Sequence, residues 1–229
     1  MGPHHLRMKC LSALFFVVCG VVGCGHVPLT PEQTSRLAAP VASHGELISV
    51  GTVTPEGSTA PVFRYERRVV ERPNGERVST HITFADNTPV VLQQATQAGD
   101  GRLIAFDEVH GQRGEAHHFD GGERRGADLV VGPTLFRFVR THLRELRAGQ
   151  AVPLEFWDRG RTYGFELTLH GDTVRMRATS FFVALAIAPM ALRLGPDDQV
   201  VAFRGRVPPL HEGDATDADV TYVHLAPFR

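Results

Sequence analysis

The sequence predicts a mainly β protein, a curved antiparallel sheet or half-barrel of about ten strands covered by two helices. Three observations carry this expectation. Short stretches of alternating apolar and polar residues recur at a spacing of about 8 to 12 residues between turns. They are punctuated by turn chemistry such as Pro73-Asn74-Gly75, Gly99-Asp100-Gly101 and Gly171-Asp172. No alternation of strand and helix runs along the chain, which argues against a parallel α/β sheet. A sheet of that size curls, and its apolar side has to be covered by something.

The first element in chain order is a leader. Arg7 and Lys9 precede an apolar run over 11–22, and the small residue Gly23 stands before Cys24. A positive region, an apolar core and a small-residue cleavage site form the layout of a secretory signal peptide, here 1–23. The run is shorter than the ~20 apolar residues that cross a bilayer. The chain has three cysteines, Cys10, Cys19 and Cys24. The folded part therefore has no thiol, which excludes disulfides, a Cys nucleophile and Cys-ligated zinc. The formal charge of −1 shifts to about −3 once Arg7 and Lys9 are removed, so no global attraction for nucleic acid is expected.

Residues 24–45, rich in Pro, Thr, Ser and Ala, read as a flexible linker that has room for a short helix over 31–37. Residues 46–229 read as a single β-rich domain. Strand texture covers 47–53, then 62–70 and 77–84 around the Pro-Asn-Gly turn, a strong hairpin signal. It continues over 89–98 and 102–110, then 115–119 and 127–131 across Gly121-Gly122. Stretches 152–157, 162–170, 173–178, 191–194, 200–206 and 220–225 complete the series.

Two segments interrupt it. Residues 133–147 (PTLFRFVRTHLRELR) place Leu135, Phe138, Val139, Leu143 and Leu146 on one helical face, with Pro133 in the first turn and Gly149 past the end. Residues 181–192 (FFVALAIAPMAL) carry no polar side chain. Ser180 caps an expected short helix over 180–188 that stops before Pro189. Phe181, Phe182, Leu185 and Ile187 are read there as a buried plug or as the wall of an apolar-ligand site.

The most site-like cluster is 107–110 (DEVH) with 115–120 (EAHHFD). Histidines beside carboxylates bind zinc, but adjacent strand residues point to opposite faces, so His117 and His118 cannot serve one ion. No metal site and no cofactor are expected. A Gly-x-Ser-x-Gly elbow and a phosphate-binding Gly loop are both missing from the sequence. His110, His117 and Asp120 are the first suspects for a hydrolase, a reading that ranks below a non-catalytic one. Arg137, Arg140, Arg144 and Arg147 recur along the helix opposite its apolar face, a basic stripe able to rest on anionic head groups.

The run Val21-Val22-Gly23-Cys24 resembles the lipobox of bacterial lipoproteins. The resemblance implies that Cys24 is lipidated, palmitate included, and becomes the first residue of the mature chain. Gly25 follows it where some bacteria place an Asp for inner-membrane retention, so the implied location is the cell envelope, at the outer membrane facing the periplasm. The plan of residues 46–229 is similar to the periplasmic lipoprotein carrier and receptor proteins of the LolA/LolB type, and to exported half-barrel families of unknown function. Residues 146–165 also look like bacterial proteins in which a helix and small-residue turn precede a Tyr-Gly-Phe strand. The resemblance is one of architecture and transfers no functional residue. The expected function is therefore a non-catalytic envelope lipoprotein that binds an apolar ligand, a lipid or acyl chain, or an envelope partner. A protein–protein interaction module without a cavity is the alternative, marked by an exposed apolar patch or an unpaired sheet edge.

Overall fold

A computed structural model describes residues 29–39, 41–121 and 128–225. The leader and Cys24 lie outside the described residues, as do 122–127, where part of the expected strand over 127–131 falls. The chain is mainly β. One open sheet holds thirteen strands rather than about ten, in the order β6-β5-β4-β3-β2-β1-β13-β12-β11-β10-β9-β8-β7. The strands are β1 Glu46–Pro55, β2 Phe63–Arg72, β3 Gly75–Phe84, β4 Pro89–Ala98, β5 Leu103–His110, β6 Glu115–Asp120, β7 Leu129–Val130, β8 Val152–Asp158, β9 Arg161–His170, β10 Thr173–Ala178, β11 Met190–Leu194, β12 Val200–His211 and β13 Asp214–His224. Every pairing is antiparallel except β7 with β8. Each stretch of strand texture thus contributes one strand.

Hairpin chemistry sets the register. β2 and β3 pair from Phe63 with Phe84 to Arg72 with Gly75, leaving Pro73 and Asn74 as the loop. Gly75 has φ +152, and a Cβ there would lie 1.9 Å from the Gln97 carbonyl oxygen. Only glycine fits that approach of β4.

The sheet curls until its ends meet. Trp157 on β8 lies 5.3 Å from Phe106 on β5 and 6.0 Å from Phe119 on β6, ring centre to ring centre. With Ala95, Leu103 and Val131 these rings form a buried cluster. Among the described residues the two ends meet through aromatic contact and not through a hydrogen-bonded ladder.

The expected helix over 133–147 is present in three pieces: a 3-10 turn over Gly132–Thr134, then α2 Leu135–Thr141 and α3 Leu143–Arg147. The break falls at His142, whose backbone leaves helical geometry. Its ring packs 4.5 Å from Phe138, and its Nε2 lies 3.4 Å from the Asp128 carboxylate. Leu135, Phe138, Val139, Leu143 and Leu146 are buried against β8–β12 in the largest core cluster. Each such side chain contributes about 1.5–3 kcal/mol of burial free energy, which explains why the segment holds its place despite the broken helix.

The expectation of two covering helices is also corrected at the N-terminus. The supposed linker contains α1, Pro31–Ala38, closed by a capping box between Thr30 and Gln33. It docks on the outer face of the sheet, where Arg36 donates to Gln94 at 3.0 Å. A 3-10 turn over Val41–His44 then stacks His44 on His81 at 4.5 Å. Burial, followed by the neighbouring His44, lowers the His81 pKa to about 4. At least 30–39 and 41–44 therefore belong to the folded body. Among the described residues, no helix is long and apolar enough to cross a membrane.

Candidate functional site

The curled sheet and α2 enclose a cavity of about 550 Å³. Its two walls differ. On one side Leu135, Phe136, Phe156, Phe165, Met190 and Phe203 supply a largely apolar surface from α2 and β8–β12, together with Asp158, Arg159 and Arg206. On the other, β1–β5 present Ser49, Arg67, Thr80, Gln93 and Glu108.

The polar residues are one transverse row. Ser49 pairs with Arg67, Arg67 with Thr80, Thr80 with Gln93 and Gln93 with Glu108, strand by strand from β1 to β5. Because paired positions share a face, hairpin register alone aligns them. The row below is apolar: Val69, Val78, Ala95, Phe106 and Phe119. The row above runs Tyr222, Gly51, Tyr65, Ile82, Val91, His110. A Cβ on Gly51 would meet the Tyr222 ring at 2.8 Å and Tyr65 Cβ at 3.1 Å, so the glycine lets both tyrosines lie close over β1.

Ser49, Arg67, Gln93 and Glu108 are buried. Two of them carry charge and are held in place. Arg67 Nη1 donates to the Pro133 carbonyl, and its guanidinium lies 5.5 Å from the Phe136 ring centre, in cation–π range. Burial lowers the Arg67 pKa to about 10. Glu108 accepts a hydrogen bond from Gln93 Nε2 at 2.9 Å, and burial pushes its pKa up, toward the neutral acid. Two hydroxyls, Ser49 Oγ and Tyr65 Oη, are buried with no hydrogen-bond partner among the described residues. Each costs about 1–3 kcal/mol when left so. Tyr222 also lines the cavity and stacks edge-on against Phe136 at 5.0 Å.

The two ends of the cavity are built differently. The strand directions bring the 73–74, 99–101 and 195–199 turns to one end, where α2 and α3 lie. Arg137 pairs with Glu76 at 3.0 Å and donates to Gly99 O at 2.9 Å, while Arg147 pairs with Asp198. At the other end, β12 shifts register between Arg206 and Leu210 and reaches across to the β5–β6 turn. His110 Nε2 donates to Pro208 O at 2.8 Å, its Nδ1 accepting from the Arg113 N–H. Gln112 donates to Leu210 O at 2.9 Å and accepts from Leu210 N at 2.7 Å. This strap covers the β1–β5 side of the mouth. In the β10–β11 connection at the same end lies α4, Phe181–Ala186.

The residues singled out in the sequence fall as follows. Phe182 and Ile187 line the cavity with Val183 and Ala186, but the segment is not a buried plug. Phe181, Phe182 and Leu185 are 71%, 81% and 71% exposed. The four arginines do not form one free basic stripe. Arg137 and Arg147 are spent on ties to neighbouring turns, Arg140 is half-buried, and Arg144 is 93% exposed beside Glu145.

The DEVH and EAHHFD cluster divides across the sheet. Glu108, His110 and His117 share the inner face, while Asp107 pairs with His118 at 2.9 Å on the outer one. His110 is committed to the strap, and Asp120 is exposed at the end of β6. Among the described residues, no three His, Cys, Asp or Glu side chains are grouped to hold a metal. Residue-by-residue reading missed the row, since its members stand 13 to 18 positions apart. A signal was present at Arg67, which falls in the phase of Phe63, Tyr65 and Val69 on its own strand, whereas Gln93 and Glu108 lie on strands whose two phases are both mixed. Comparison with known proteins returns no matching family model, no similar curated protein and no similar solved structure.

Proposed function

We propose that this protein is a non-catalytic, lipid-anchored protein of the cell envelope that binds an apolar-chain ligand inside its half-barrel. The observation that carries this reading is the cavity of about 550 Å³, one side of which carries Leu135, Phe136, Phe156, Phe165, Met190 and Phe203. That volume falls within the range of small-molecule sites, and a well-packed core leaves few voids larger than a water. The exposed side chains of α4, beside the mouth, give an apolar chain a surface to cross on entry. Cys24, lipidated, holds the domain at the outer membrane, where such ligands are abundant.

The test is purification from membranes under native conditions, followed by mass spectrometry. The N-terminal peptide is expected to begin at Cys24 with acyl modification, and the intact protein to carry a bound lipid removable by organic extraction. An extracted protein that gives no emission increase with an apolar fluorescent probe would end the ligand-binding reading. An unmodified Cys24 would end the anchoring one.

A further inference from the structure

Resting on the ligand-binding reading above, we propose that the polar row selects a single-chain amphiphile with an uncharged, hydroxyl-bearing head, such as a monoacylglycerol, over a fatty acid anion or a plain hydrocarbon. The inner wall of an apolar-ligand site has no need of a row of five in-register polar side chains. Part of the row is structural: Arg67 anchors the Pro133 carbonyl and packs on Phe136, and Glu108 is bonded to Gln93. The two charged members thus already have partners, and they are opposite in sign.

Two of the polar groups on this wall that lack a hydrogen-bond partner are hydroxyls. Ser49 Oγ and Tyr65 Oη lack partners among the described residues, both belong to the cavity wall, and the two residues sit on adjacent strands. Thr80 and Tyr222 line the same wall. Hydroxyls both donate and accept, so they match a head that does the same. A carboxylate only accepts and must be stripped of water to enter. A plain hydrocarbon leaves the wall unsatisfied. Counting a methylene at roughly the ~30 Å³ share of a water molecule, the cavity holds one acyl chain rather than two.

The experiment uses the full chain, purified and delipidated, with an apolar fluorescent probe displaced by monomyristoylglycerol, myristate and tetradecane at pH 7.5. Monomyristoylglycerol is expected to displace the probe at a concentration at least tenfold lower than either of the others. Tyr65→Phe and Ser49→Ala, which remove little more than an oxygen each, are expected to cut that preference to threefold or less, with folding checked by circular dichroism. Equal displacement by all three compounds overturns the selection of a head and leaves the apolar cavity standing. Tighter binding of myristate overturns it in favour of an anionic head. Displacement by none of them removes both readings. A tenfold preference that survives both substitutions places the selectivity elsewhere and also overturns the proposal.

Discussion

The two walls of the cavity are made from the same kind of element and do opposite things. From β8 to β12 the inward positions are filled by side chains such as Leu154, Leu167, Met176 and Leu192, buried against Leu143 and Leu146 of α3 and its neighbours. From β1 to β5 the inward positions alternate by row, apolar below and mixed above, with Ser49, Arg67, Thr80, Gln93 and Glu108 between. The first wall spends its inward side chains on stability. The second keeps polar groups inside a dry interior, where each needs a partner. A region that gives up packing for polar order is where selectivity is expected to reside.

The contrast is broken most severely at the seam that joins the two halves. Trp157 touches Phe106 and Phe119 across it, in a cluster that also holds Val131. Trp157→Ala is expected to destabilise the protein by about 3–5 kcal/mol, read as a lowered midpoint in urea. A loss under 1 kcal/mol would mean that the seam does not hold the edges together.

A smaller effect sharpens the comparison from the outer face of the polar half. His81 has a folded pKa near 4, below its ordinary 6.5, because burial and His44 disfavour its charged form. The folded state therefore binds its proton later than the unfolded state does. The His81 contribution to stability is constant above about pH 7, falls as pH drops through 6.5, and levels off below about 4. The span of 6.5 to about 4 corresponds to roughly 3 kcal/mol. His81→Phe is expected to flatten this limb of the stability–pH curve, measured by denaturant titration. An unchanged slope would assign it to other groups.

The smallest effect on stability is expected at the mouth. Phe182 is 81% exposed, so Phe182→Ser should leave the unfolding free energy within ±0.5 kcal/mol while slowing probe uptake several-fold in stopped flow. A large loss of stability would restore the plug reading of α4.

How much of this was legible depends on the range of the interaction. Individual strands were readable, since alternation and turn residues act over a few positions. Pro73-Asn74-Gly75 and Gly99-Asp100-Gly101 marked their hairpins, and 133–147 was recognisable as the segment that covers the sheet. The break at His142 was not, because it depends on Phe138 and on Asp128 from outside the helix. Composition made α4 apolar, but nothing in its own residues marks Phe181, Phe182 and Leu185 as exposed. The docking of α1 likewise needs Gln94 and His81, which are more than 35 positions away from their partners.

The sequence by itself determined that the chain is mainly β, where its strands and turns fall, and that its folded part has no thiol. Those properties follow from side-chain period, backbone preference and composition, all of them local. Only the tertiary structure decided that thirteen strands curl onto Trp157, that a cavity stays open, and that Ser49, Arg67, Thr80, Gln93 and Glu108 stand in one line. Alignment across five strands comes from hydrogen-bond register, a relation between distant segments that no single stretch of sequence contains.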